Sequence, residues 1–200
     1  HFQSREPSDV RLAQIKYAER KVKPEKVINV GIGNVSLPTN PAMQKRMFEL
    51  NSPDSPFANG VIRYTGTAGT EEAQNAFKNI LKSEGFNTDN LYVQITDGGS
   101  AGMELLILGV CGPAGSDERP LMLIDPAYTN YISFAERLGR KVVTIKRYMD
   151  EKGKFNLPDM EEVEEMIKEH KPGALLVIPY DNPTGQYYTY DLLKDLARLC

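Results

Sequence analysis

The sequence has few of the residues that mark metal centres and redox sites. Its 200 residues include two cysteines, Cys111 and Cys200, and neither stands in a metal-ligand spacing or a redox motif. This cysteine usage favours a reducing cytoplasm. The two histidines, His1 and His170, are too few for a zinc site of the usual kind. We therefore expect no bound metal.

The chain also lacks an excess of positive charge and a long hydrophobic run. Lys and Arg number 24 against 27 Asp and Glu, which gives a net charge of −3 and argues against nucleic acid and anionic membrane surfaces as partners. No apolar run approaches the length of a membrane span, and the N-terminus lacks the pattern of a signal peptide. The hydrophobic content of 40% nevertheless suffices for a substantial core. These features predict a folded cytoplasmic domain.

Strand and helix patterns alternate along most of the sequence. The apolar runs predict strands at 91–95, 121–124, 141–145 and 174–178. Helical periodicity predicts helices at 9–21, 70–84, 100–110, 128–138, 159–170 and 189–200, with a long loop at 52–66. Strands separated by helices predict an α/β fold, a mostly parallel sheet with helices on both faces. Because the last helix ends without a glycine or proline, we expect the natural protein to continue beyond residue 200.

The turn Asp97-Gly98-Gly99-Ser100 follows a predicted strand and opens a predicted helix. Glycines let an anion approach the backbone, and the free N–H groups at a helix amino end attract negative charge. Ser100 adds a hydroxyl, whereas Asp97 would repel a phosphate unless it points away. The turn is neither a Walker sequence nor a dinucleotide fingerprint. Taken alone, it has a structural alternative, an ordinary connection between a strand and a helix.

Two further turns follow apolar strands, where open α/β sheets bind ligands. Asn182, in the turn Asp181-Asn182-Pro183-Thr184-Gly185, offers an amide that can both donate and accept a hydrogen bond. Tyr128 ends the turn Asp125-Pro126-Ala127-Tyr128 and could stack on a flat heterocycle. Each residue taken alone has a structural alternative, a turn asparagine and a tyrosine anchoring the next helix. Together with the glycine-rich turn they predict a cofactor pocket.

Taken in order, these segments resemble the pyridoxal-phosphate-dependent aminotransferases of class I/II, the aspartate-aminotransferase-like family, over roughly residues 25 to 200. The segments that carry the resemblance are Val30-Gly31-Ile32-Gly33 followed by Leu37-Pro38, Tyr64 to Gly69, Thr96 to Ser100, and Asp181 to Gly185. The resemblance implies the large domain of a fold-type-I transferase. Residues 46–200 would form an incomplete cofactor-binding large domain, and residues 1–45 an N-terminal arm and part of a smaller domain.

The resemblance implies pyridoxal 5'-phosphate as the cofactor and assigns residues to it. Gly99, Ser100 and Ala101 would bind the cofactor phosphate through backbone N–H groups and the Ser100 hydroxyl. Tyr128 would stack on the pyridine ring. Asn182 would hydrogen-bond the phenolic oxygen of that ring.

Other implied roles concern the substrate and a second subunit. Tyr64 would reach the cofactor phosphate of the neighbouring subunit, which requires a homodimer with its active site at the interface. Gly33 would line the carboxylate side of the substrate, with Ile32 and Val35 near its side chain. The expected function is transfer of an amino group between an amino acid and a 2-oxo acid.

The lysine that forms the Schiff base in this family, the aspartate facing the pyridine nitrogen and the arginine binding the substrate carboxylate cannot be placed in these 200 residues. We therefore assign no catalytic residue here and expect this segment alone to be inactive. A pyridoxal-phosphate-dependent lyase or synthase of the same fold stays open, as does an effector-sensing aminotransferase-like domain of a regulator. The missing spaced glycines disfavour a nucleotide-binding dehydrogenase.

Overall fold

The protein is described by a computed structural model covering residues 7, 9–22, 24–28, 33 and 36–200. Its contacts divide the chain into two compact units, the second of which is Thr65–Cys200. These contact units do not test the predicted domain division at residue 45, which stays a prediction.

The first unit contains two helices, α1 (Asp9–Ala18) and α2 (Pro41–Phe48). Asn40 precedes α2, and its side chain accepts a hydrogen bond from the N–H of Ala42 at 2.9 Å. Pro41 occupies the first turn, where its missing N–H and fixed φ cost nothing. Asparagine and proline thus begin this helix.

The second unit alternates helices and strands along the chain. Its elements are α3 (Glu71–Ser83), α4 (Gly98–Val110), β1 (Leu121–Asp125), α5 (Thr129–Arg137), β2 (Val142–Lys146), β3 (Tyr148–Met149), β4 (Phe155–Asn156), α6 (Met160–His170), β5 (Ala174–Leu176) and α7 (Tyr190–Leu199).

The main sheet has the strand order β2-β1-β5, and both pairings are parallel. Because successive side chains of a strand point to opposite faces, β1 serves two cores. Leu121 and Leu123 pack with residues of α4 and α5, among them Ile107 and Phe134. The alternate β1 residues, Met122 and Ile124, pack with Val163 of α6 and Leu196 of α7. The predicted parallel sheet with helices on both faces is confirmed.

The predicted strand at 91–95 is wrong in this structure. These residues are extended, but their one long-range backbone hydrogen bond joins the N–H of Ile95 to the carbonyl of Ala68 at 3.0 Å. Apolar and β-branched residues favour an extended backbone, whereas a strand also needs a continuous partner. Within the described residues the segment has no such partner.

A small antiparallel hairpin, not predicted from the sequence, joins β3 to β4. Asp150 closes it, since its carboxylate accepts hydrogen bonds from the backbone N–H groups of Lys152 and Lys154, both at 2.9 Å. These hydrogen bonds, with one from the Asn156 side chain, hold the pKa of Asp150 below its usual value. The hairpin lies directly after β2 and brings Phe155 towards the carboxyl edge of the main sheet, where it contacts Arg147.

Candidate cofactor site

The glycine-rich turn leaves the amino end of α4 open. Asp97 stands at the N-cap position, but its side chain makes no capping hydrogen bond. Gly98 has a φ of 84°, and its carbonyl accepts a hydrogen bond from the Thr96 hydroxyl at 3.0 Å. A Cβ atom built on Gly98 or Gly99 would meet nothing within 4 Å. Since the first N–H groups of a helix have no partner inside it, this exposed turn fits the phosphate of the implied cofactor.

Tyr128 ends the turn after β1 and is half-buried. Its ring meets that of Tyr131 edge-to-face, with centroids 5.4 Å apart and planes at 80°. Its hydroxyl accepts a hydrogen bond from the Asn130 amide at 2.8 Å. Burial, with Tyr128 close by, raises the pKa of Tyr131. Tyr128 is therefore held by two residues of the first turn of α5.

The turn after β5 is tight and presents Asn182 to solvent. The N–H of Gly185, at a φ of 70°, donates to the Asp181 carbonyl at 2.9 Å. The N–H of Asp181 donates to the Gln186 carbonyl at 2.7 Å. The Asn182 side chain is exposed and forms no hydrogen bond within the described part of the chain. Its amide is thus free to bind a ligand.

The structure brings these two turns side by side. β1 and β5 are parallel neighbours, so their carboxyl ends meet at one edge of the sheet. A small cavity at this edge is lined by both turns and by the ends of both strands: Leu123, Ile124, Ala127, Tyr128, Tyr131, Leu176, Ile178, Asp181 and Tyr188. Tyr128 of one turn and Asp181, the residue before Asn182 in the other turn, therefore line the same cavity.

Arg147 links the two turns, and sequence reasoning missed it. Its side chain is 1% exposed, and Nη1 donates to the Asp181 carboxylate at 2.9 Å. Nε donates to the Asp125 carbonyl at 3.3 Å, and Nη2 donates to the Pro126 carbonyl. The sequence carried one usable signal, because Arg147 directly follows β2, whose carboxyl end lies beside that of β1.

Side chains from other elements close around Arg147. The Tyr188 hydroxyl accepts a hydrogen bond from Nη1 at 3.2 Å, and the Phe155 ring centroid lies 5.7 Å from Cζ. Burial raises the pKa of Tyr188, although the nearby Arg147 opposes the shift. Gln186 joins the Asn182 turn to the β3–β4 hairpin. Its side-chain amide accepts a hydrogen bond from the Phe155 N–H at 2.7 Å and donates one to the Phe155 carbonyl at 3.1 Å.

The remaining predicted residues belong to the first unit. Tyr64 is fully exposed. Gly33 is exposed, and a Cβ atom built on it would meet nothing within 4 Å. Ile32 and Val35 lie outside the described residues. The roles assigned to all four stay predictions.

The described residues form neither a metal site nor a membrane-spanning helix. No group of three or more His, Cys, Asp or Glu side chains is arranged to hold a metal ion in this part of the chain. Among the same residues, none of the helices has both the length and the apolar character needed to cross a membrane.

The fold defines a class of protein, an α/β protein with a parallel sheet and two turns that share a cavity at its carboxyl edge. The sequence profile of the aminotransferase class I and II family matches residues 25–200, and the chain belongs to this family. The family prediction is confirmed, and with it pyridoxal 5'-phosphate as the cofactor that this family uses. No curated protein sequence matches the chain.

Solved structures show the same fold at low sequence identity. Aspartate aminotransferase from Thermus thermophilus with maleate is 22% identical, with a TM-score of 0.74, and the match covers 99% of this chain and 48% of that chain. An amino transferase from Eubacterium rectale is also 22% identical, with a TM-score of 0.70, and covers the same shares. Cystalysin from Treponema denticola, which contains a pyridoxal 5'-phosphate cofactor, is 18% identical with a TM-score of 0.67, covering 93% of this chain and 44% of that chain. The chain thus spans about half the length of these proteins, and the predicted fold type is confirmed.

Proposed function

We propose that this chain forms the cofactor-binding part of an aminotransferase that moves an amino group between an amino acid and a 2-oxo acid. The observation that carries the proposal is the meeting of Tyr128 and the Asn182 turn at the carboxyl edge of the sheet. Membership in the aminotransferase family supports it. The similarity to solved structures supports the fold and leaves the reaction to be tested.

The residues divide the binding of pyridoxal phosphate between them. Gly99, Ser100 and Ala101 bind its phosphate at the open amino end of α4, where N–H groups and the helix dipole favour negative charge. Tyr128 covers one face of the ring, and Asn182 donates a hydrogen bond to its phenolic oxygen. When bound, the cofactor supplies an electron sink for the negative charge left when the substrate loses its α-proton. These residues orient that sink and supply no acid or base.

The proposal extends to the substrate and to a second subunit. The complete exposure of Tyr64 is consistent with a hydroxyl that reaches the phosphate site of a partner in a homodimer. The open space at Gly33 is consistent with approach of a substrate carboxylate to the backbone. We place the reaction in the cytoplasm, on the cysteine usage of the sequence. We also predict that these 200 residues alone do not transaminate, because no lysine among them stands in the family's Schiff-base motif.

The test is the visible absorption spectrum of the longest natural form of the protein mixed with pyridoxal phosphate, followed by candidate amino donors, glutamate first. Conversion of the bound cofactor to its pyridoxamine form establishes transamination and ranks the donors. A bound cofactor that is never converted favours the lyase or the sensor domain instead. Failure to bind the cofactor contradicts the proposal altogether.

A matched pair of serine variants ties that spectrum to the proposed phosphate site. Ser100→Ala removes the hydroxyl at the amino end of α4, and we expect about tenfold weaker cofactor binding, the usual effect of losing a hydrogen bond to a charged group. Ser133→Ala is the control, because Ser133 is equally exposed and its hydroxyl donates only to the Thr129 carbonyl in the same helix, at 3.4 Å. Equal affinities in the two variants would contradict the phosphate assignment.

A further inference from the structure

We propose that Arg147 is a positioning residue that holds the Tyr128 turn and the Asn182 turn in one mutual geometry. The structural part of this inference stands on the contacts of Arg147. Its functional consequence rests on the proposed function, in which Tyr128 and Asn182 hold the ring of the cofactor.

Arg147 makes three hydrogen bonds to the Tyr128 turn. Its backbone N–H donates to the Asp125 carbonyl at 3.0 Å, which prolongs the pairing of β2 with β1 by one residue. Its side-chain Nε donates to the same carbonyl, and Nη2 donates to the carbonyl of Pro126. The Pro126 carbonyl lies two residues before Tyr128, so the guanidinium fixes the path of the backbone that leads to the tyrosine.

The other side of the guanidinium binds the Asn182 turn. Nη1 donates to the Asp181 carboxylate, and the Thr184 hydroxyl donates to the same carboxylate oxygen. The backbone N–H and carbonyl of Asp181 are both bonded within the turn, to Gln186 and Gly185. Asp181 is therefore held at its side chain and at its backbone, and one peptide bond separates it from Asn182.

Arginine is suited to this task in a way that lysine is not. The guanidinium is planar and rigid and carries five N–H donors, so it can bond two carbonyls and a carboxylate in fixed directions at once. The side chain of Arg147 is 1% exposed and that of Asp181 is 5% exposed, so water competes little for these hydrogen bonds. Lysine could keep the ion pair with Asp181 but could not also hold Asp125 and Pro126.

The coupling can be tested by amide hydrogen exchange on the longest natural form of the protein, without cofactor. In Arg147→Lys, we expect exchange in both 125–131 and 181–188 to speed up about tenfold, since both turns lose a common anchor. Arg137→Lys is the matched control. Arg137 lies at the far end of α5, pairs with Glu104, and has its Cζ 5.5 Å from the Phe134 ring centroid. We expect it to change exchange in either turn by less than about twofold.

A second variant approaches the coupling from the opposite side. Asp181→Asn is nearly isosteric, and among the described residues the Asp181 side chain reaches the first turn by hydrogen bonds only through Arg147. We expect it to speed exchange in 125–131 as well as in 181–188. Faster exchange in 181–188 alone, or no change in either turn for both variants, would overturn the proposal.

Cofactor binding supplies the functional readout and separates two kinds of failure. Far-ultraviolet circular dichroism should show that Arg147→Lys is folded. We expect this variant to bind pyridoxal phosphate about tenfold more weakly, because loss of a supporting group weakens a site to about this extent. The visible dichroism of the bound cofactor should change as well. A wild-type dichroism signal and affinity in Arg147→Lys would overturn the positioning role. If the wild type binds no cofactor, the proposed function is wrong, and hydrogen exchange still decides whether Arg147 couples the turns.

Discussion

The glycine-rich turn before α4 and the pair of turns after β1 and β5 are built on opposite principles. The first makes its contacts within itself, with the Thr96 hydroxyl bonded to the Gly98 carbonyl and no side-chain cap on the helix. The pair is joined through the buried guanidinium of Arg147, contributed by a third strand end. One region is open backbone, and the other is a network of side chains.

Under the proposed function, this difference matches what each part of the cofactor needs. The oxygens of a phosphate accept hydrogen bonds from many directions, so a set of free N–H groups at a helix amino end suffices to bind it. A flat ring must be met on its face and at its edge at the same time, so the groups that meet it must keep a fixed mutual position. Local sequence can build the first kind of site, whereas the second needs contacts between distant residues.

The largest expected effect is that of removing the shared anchor. Arg147→Met leaves the Asp181 carboxylate buried without its cation, and we expect the free energy of unfolding to fall by about 3–5 kcal/mol. Urea denaturation measures this loss. Arg137→Met is the control, because Arg137 is 46% exposed and its ion pair with Glu104 should contribute less than about 1 kcal/mol. A similar small loss for both variants would mean that the pair of turns does not depend on its network.

Tyr188 should give a smaller effect that depends on pH. Tyr188→Phe removes the acceptor of one Arg147 hydrogen bond, and we expect a loss of about 1–2 kcal/mol at neutral pH. Because burial raises the Tyr188 pKa above the ordinary value of 10.0, the folded state favours the neutral phenol. Its contribution is present below pH 10 and is lost as the pH rises through the raised pKa, so the variant should show a flatter alkaline decline in urea denaturation.

Tyr131→Phe separates the two parts of that prediction. Burial also raises the pKa of Tyr131, so this variant should flatten the alkaline decline as well. The Tyr131 hydroxyl makes no hydrogen bond among the described residues, so the loss at neutral pH should be close to zero. A neutral-pH loss equal to that of Tyr188→Phe would show that the Arg147 hydrogen bond contributes nothing specific.

The same distinction explains how much of the molecule its sequence could predict. The Gly98-Gly99-Ser100 turn is a local feature, and the sequence indicated it. The apolar run that forms most of β1 was also predicted. Alternate side chains of this strand pack into two cores, so every position of the run is apolar and the run is visible in the sequence. The strand at 91–95 was wrong because a strand depends on a partner that no local pattern specifies.

Arg147 escaped prediction for a related reason. It lies 22 residues from Asp125 and 34 residues from Asp181, so nothing local to any of the three signals their contact. A charged residue after an apolar strand is usually exposed, and only the strand order β2-β1-β5 places this one between two turns.

Glycine substitutions in the open turn should separate folding from binding. We expect Gly98→Ala to cost about 1 kcal/mol in urea denaturation, because its φ of 84° strains any residue with a Cβ atom. Gly99→Ala should leave the free energy of unfolding within about 0.5 kcal/mol, since its Cβ atom would meet nothing within 4 Å and alanine favours a helix. The same Gly99→Ala should bind pyridoxal phosphate about tenfold more weakly, because the added methyl group stands where the phosphate must approach the backbone. Unchanged cofactor binding would remove Gly99 from the proposed site.

Asp97 should give the smallest effect on folding, and it tests directly whether the amino end of α4 is open. Asp159 caps α6 through a hydrogen bond from the Glu162 N–H at 2.9 Å, so Asp159→Ala should cost about 1 kcal/mol. Asp97 makes no such bond, and only its charge acts on the helix dipole, so Asp97→Ala should cost about 0.5 kcal/mol or less. Removing that charge should also strengthen phosphate binding a few-fold, by about the same free energy. If Asp97→Ala cost as much as Asp159→Ala, the carboxylate would be capping the helix and occupying the N–H groups that a phosphate needs, and the two regions would no longer differ in kind.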